Sequence, residues 1–170
     1  MNKKGFTLIE LLIVIAIIGI LASVVLASLN SARAKGTDVA IKSDLTNIRS
    51  SAAIYYDDNS QYYASVGNGW AIGVCPNPTA TPPTGNIFSD TKIFAGLGDA
   101  MTKNGNPLKS QCIVTPTTWA VAVELKTSDG PDPAADPDAW CVDSVGASHA
   151  FSYAVGQDIS NAITVDSCTP

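Results

Sequence analysis

The run Lys3-Lys4-Gly5-Phe6-Thr7-Leu8-Ile9-Glu10-Leu11-Leu12, continued by an apolar stretch to Leu29, decides how this chain of 170 residues is read. From Phe6 to Leu29 the only charged residue is Glu10, leaving roughly 24 nearly unbroken apolar residues against the ~20 that a bilayer-spanning helix needs. Lys3 and Lys4 come first, so the positive-inside rule places the start in the cytoplasm and the remainder outside. Glu10 is the anomaly, because a carboxylate in a lipid-facing helix is unfavourable, most at the bilayer centre and less near an end. A cut between Gly5 and Phe6 would expose an ammonium on Phe6 about one helical turn from Glu10. On an incoming copy that cation can pair with Glu10 of a neighbour in apolar surroundings, where water screens weakly, and so fix the axial register between copies.

Two plainer readings compete. Ala32-Arg33-Ala34 supplies an A-x-A match for a secretory signal peptide, but the match follows polar Asn30 and Ser31. The apolar run also exceeds the usual ~7–15 residue core, and Glu10 sits inside it. A plain membrane anchor leaves Glu10 equally unexplained.

Residues 3–12 closely resemble the type IV prepilin signature: a short basic leader, a small residue at the cut, an aromatic first mature residue and a glutamate shortly after it. The resemblance is strong over residues 1–30. It implies that a prepilin peptidase cleaves after Gly5 and methylates the amino group of Phe6. It also implies that Glu10 serves assembly and that the helix forms a filament core. The implied course runs from a precursor in the cytoplasmic membrane to an extracellular pilus. The implied partners are further copies in a helical homopolymer, the peptidase, and an assembly platform with its ATPase. One departure stands out: many family members carry a proline within the mature helix, whereas the first proline here is Pro76. Gly19 and Gly36 are the softer points, each weakening a helix by ~1 kcal/mol relative to alanine.

From Asn30 to about Asp57 the pattern becomes amphipathic, with Ile41, Leu45, Ile48, Ala52 and Tyr55 on one helical face and Lys35, Lys42, Asp44 and Arg49 off it. A single helix from Phe6 to Asp57 would measure roughly 78 Å at ~1.5 Å per residue. Its segment 6–29 would serve the membrane and assembly, and 30–57 would pack on a globular head, 58–170. Asp57-Asp58-Asn59-Ser60 reads as the helix stop. Residues 58–111 read as loop-rich, broken at Asn77-Pro78 and Thr81-Pro82-Pro83-Thr84-Gly85, with a short helix around Asp90 to Met101. Strand signals follow at Cys112–Val114, Trp119–Lys126, Ala139–Val145 and His149–Val155. The expected class is α+β, a long helix packed on a small antiparallel sheet, which is also the layout the resemblance implies.

Charged residues make up only 15% of the chain, and the formal charge of −5 becomes more negative by two if the leader is lost. Such acidity argues against non-specific nucleic-acid binding. Cys75, Cys112, Cys141 and Cys168 all follow the apolar run and form no CxxC pair, so they suggest two disulfides in an oxidising compartment. Three pairings are open; nearness in sequence favours Cys75 with Cys112 and Cys141 with Cys168. The acidic stretch holding Asp129, Asp132, Asp136 and Asp138 offers oxygens for calcium, as in some secretion pseudopilins. Its spacing is not that of an EF-hand, and Pro131, Pro133 and Pro137 restrict convergence, so a solvated turn without cofactor is the competing reading. His149 and Asp143 lack a G-x-S-x-G elbow, and no phosphate-binding loop is present, so no catalytic residue is assigned. Tyr55, Tyr56, Tyr62 and Tyr63 either form an exposed patch or seat the helix end on the head. The expected function is a pilus filament subunit. The alternatives are a minor pilin, a type II secretion pseudopilin and a membrane-tethered binding module that never polymerises.

Overall fold

The computed structural model describes residues 5, 7–127, 138–153 and 157–169, and divides the chain into two compact units, Met1–Lys35 and Gly36–Pro170. Helix α1 (Leu8–Asp58) runs through 51 residues, including Gly19 and Gly36, and contributes to both units. It ends in a left-handed turn at Ser60 and Gln61, where the Gln61 N–H reaches back to the Tyr56 carbonyl at 2.9 Å.

In the second unit the expected stripe is the buried one: Ile41, Leu45, Ile48 and Ala52 are at most 1% exposed, and Tyr55 packs at the edge of the same cluster. In the stretch 58–111 the short helix expected around Asp90 to Met101 is present, and strands accompany it. Strand β1 (Trp70–Gly73) and helix α2 (Thr91–Asn104) lie inside it, and β2 (Ser110–Val114) begins there. Asp90 caps α2 by accepting from the Lys92 and Ile93 amides at 2.9 and 3.0 Å, and Gly105 closes it with a left-handed φ of 85°.

Strands β3 (Trp119–Glu124), β4 (Ala139–Asp143) and β5 (Ser148–Phe151) complete a five-stranded antiparallel sheet in the order β1-β2-β3-β4-β5. Every residue of β3 is buried, because both faces of the sheet are covered. Trp119, Val121 and Val123 meet α1 and α2, while Ala120 and Ala122 turn to a second apolar cluster. That cluster is closed by the carboxyl-terminal segment, which carries the two-residue strands β6 (Ile163–Thr164) and β7 (Ser167–Cys168), unanticipated from the sequence. The layers are therefore helices, sheet and tail.

Two disulfides staple these layers. Cys75–Cys112 joins the segment after β1 to β2 with a Cα–Cα distance of 4.8 Å, and Cys141–Cys168 fastens the tail to β4 at 5.8 Å. Polar side chains complete the attachment. Gln111 donates to the Ser160 carbonyl at 3.0 Å and accepts from the Ile163 amide at 3.2 Å, while Asp143 accepts from the Cys168 amide at 3.0 Å.

Candidate functional site

The amino-terminal unit presents an apolar surface without a protein core of its own. Residues 8–33 are all exposed, and the helix is long and apolar enough to cross a membrane. Its first turn holds the chemistry. Thr7 precedes the helix, and its hydroxyl accepts from the Glu10 amide at 3.3 Å. Glu10 Oε2 in return accepts from the Thr7 amide at 2.8 Å and the Thr7 hydroxyl at 2.7 Å. This reciprocal pairing is a capping box, in which both ends satisfy backbone donors that the first turn leaves open. It also sets a carboxylate at the positive end of the helix dipole. Thr7 was absent from the sequence-based site, although Thr7-Leu8-Ile9-Glu10 matches the S/T-x-x-E pattern that signals such a cap.

A Cβ built on Gly5 would meet none of the described residues within 4 Å. Phe6, expected to be the mature amino terminus, lies outside the described residues, as do Asp129, Asp132 and Asp136 of the acidic stretch. Asp138 is described and is 2% exposed; its carbonyl accepts from the Leu125 amide at 2.7 Å. Among the described residues no three His, Cys, Asp or Glu side chains gather as a metal site.

Asp143 and His149 serve separate partners. Asp143 Oδ1 accepts from the amides of Val145, Gly146 and Ala147 at 2.8–3.1 Å, shaping the β4–β5 turn. His149 Nε2 lies 2.9 Å from the Thr169 carbonyl. The tyrosines divide: Tyr55 and Tyr63 pack against the core, with the Tyr56 and Tyr63 rings 4.6 Å apart, whereas Tyr62 is half exposed.

Residues 1–26 match the family model of the prokaryotic N-terminal methylation motif. Over 135 residues the chain is 30% identical to the type IV major alpha-pilin of Moraxella bovis, covering 75% of this chain and 82% of that one. The chain belongs to the type IV pilin family. This pilin is also 40% identical over 77 residues to the type IV wide pilus major component PilA4 of Thermus thermophilus, across 45% of its own length and 59% of the relative's. It is 39% identical over 61 residues to the type II secretion system core protein G of Klebsiella michiganensis, across 36% and 43%. The chain thus spans about half the length of these two curated relatives. No solved structure gives a significant match.

Proposed function

We propose that this pilin is the structural subunit of an extracellular type IV pilus, polymerised through the apolar part of α1. The observation that carries the reading is a helix exposing every residue from 8 to 33, with a single carboxylate fixed in its first turn. A surface of that kind is stable in lipid before assembly and among its own copies afterwards. Contacts between unlike faces of identical subunits propagate without closing, which yields a fibre.

In this scheme the prepilin peptidase cuts after Gly5 and methylates Phe6. Thr7 holds the Glu10 carboxylate in place with two donors, so the group enters the apolar phase partly satisfied. The ammonium of an incoming Phe6 then pairs with it at low screening. The intact mass of the mature protein tests processing: loss of residues 1–5, gain of one methyl and loss of four hydrogens for two disulfides is the expected result. A start after Ala34 would instead mean ordinary secretion. Glu10→Ala tests polymerisation, because a non-polymerising tethered module keeps its function with that change and a filament subunit loses assembly.

The likeness to core protein G favours a second reading, a pseudopilin of a secretion machine. Electron microscopy of material sheared from cells separates the two: long surface filaments carrying this chain support the pilus subunit, and retention in the cell envelope supports the pseudopilin.

A further inference from the structure

In the globular unit, a cavity of about 390 Å³ opens between α1 and the ends of β3 and β4, lined by Thr46, Arg49, Ser50, Tyr63, Trp119 and Ser144 among others. Its volume falls within the ~300–1,000 Å³ usual for small-ligand sites. Arg49 is half-buried at its rim, and the guanidinium has no anionic partner among the described residues. The carboxylate next to it is already committed. Asp143 also lines the cavity, but both its oxygens accept backbone amides, which offset part of its charge, and it forms no ion pair with Arg49. The Arg49 guanidinium lies over the β4–β5 turn, 3.5 Å from where a Cβ on Gly146 would stand.

Around this cation the donors are hydroxyls. Ser144 Oγ accepts from the Trp119 amide at 3.3 Å, which leaves its proton to donate. The Tyr63 hydroxyl is protonated at neutral pH, as any ordinary phenol is, and burial pushes it further up, so it is able to donate. The partly buried Tyr63 ring, backed edge to face by the buried Trp119 ring with centroids 6.3 Å apart, gives the cavity an aromatic wall. One unpaired guanidinium, several hydroxyls and an aromatic wall match a ligand that carries a carboxylate, several hydroxyls and an apolar ring face.

We propose that this cavity binds a sugar acid, with Arg49 gripping the carboxylate and Ser50, Tyr63 and Ser144 holding ring hydroxyls. Guanidinium and carboxylate meet in a two-bond fork, which accounts for an arginine at this position. Repetition of such a site along a polymer would turn a weak single site into avid attachment to acidic polysaccharide.

The test is isothermal titration of the full chain in detergent with D-glucuronate, D-glucose and inorganic phosphate. Glucuronate is expected to bind, with glucose at least ~10-fold weaker for want of the charged fork. Arg49→Gln should abolish the glucuronate heat. Because Arg49 has no ionic partner to lose, the fold should survive, which an unchanged thermal midpoint will verify. Lys42→Gln removes a cation that sits over the Trp140 ring at 4.8 Å, outside the cavity, and should leave binding intact. Four results each overturn the proposal: no glucuronate heat at ~10 mM, equal binding of glucose, equal binding of phosphate, or equal loss in the Lys42 and Arg49 variants.

Discussion

Replacing both members of the Cys141–Cys168 pair with alanine tests whether the tail is a structural layer of the head. The bond closes a loop with a sequence separation of 27 residues. On the chain-entropy account, opening a loop of that size costs roughly 3.5 kcal/mol, because the unfolded chain regains the conformations the crosslink denied it. The tail would still be tied by Gln111 to Ser160 and Ile163, and by Asp143 to the Cys168 amide, so the double variant should fold. For a unit of this size each kcal/mol shifts the midpoint by about 3–5 °C, giving a fall of roughly 10–17 °C. The assay is thermal unfolding by near-UV circular dichroism of the full chain in detergent, paired with amide hydrogen exchange. Exchange should quicken first at Ile113, Ala120, Ala122 and Phe151, which the tail covers, while Ile41, Leu45 and Leu97 on the opposite side keep their protection. A midpoint lowered by less than ~3 °C, or protection lost first on the helical side, would refute the layered reading.

Two further substitutions probe opposite signs at neighbouring glycines of α2. A Cβ at Gly96 would meet Ile48 Cγ1 at an ordinary 3.5 Å, so Gly96→Ala should stabilise by up to ~1 kcal/mol through helix propensity. At Gly98 it would lie 2.8 Å from Pro78 Cβ, so Gly98→Ala should destabilise by ~1–3 kcal/mol, and chemical denaturation will show the midpoints moving apart. Asp38 accepts from the Lys126 and Thr127 amides and the Thr127 hydroxyl. Asp38→Ala should cost ~1–3 kcal/mol and speed exchange of those two amides; unchanged protection would show that the carboxylate does not hold that segment.

The helix was legible because its signals are long and redundant. Ile41, Leu45, Ile48 and Ala52 repeat at helical spacing, and all four are buried where that spacing puts them. Strand β3 was legible too, since Trp119, Val121 and Val123 alternate with Ala120 and Ala122. The smallness of those alanines shows in retrospect that a further layer lies close behind them. Strand β1 carries little sequence signal because it is a four-residue edge with an irregular register, set among glycines and prolines. β6 and β7, at two residues each, are too short to produce any period.

The polar attachments were hidden for a different reason. Asp38 falls on the same helical face as Ile41 and Leu45, and a carboxylate in a buried stripe requires donors, but nothing in the local pattern names Lys126 and Thr127 as their source. At the amino terminus the Thr7–Glu10 box is local, and its S/T-x-x-E spacing is legible directly. Which faces of residues 8–33 meet other copies is a property of the assembly, and no single subunit encodes it in its own packing.

The position of the tail along the chain sets an order of events. The five strands pair as a simple meander, each with the next, so the sheet can zip up progressively as polypeptide arrives. Its outer surface stays bare until residues 157–169 follow. Where the start of the chain stays in the cytoplasm and the head crosses the bilayer in chain order behind the apolar helix, that bare surface lasts until the final segment is through. Oxidation of Cys168 with Cys141 then seals it. A chain that stops short of residue 157 would leave Ala120, Ala122 and Phe151 facing water on that side.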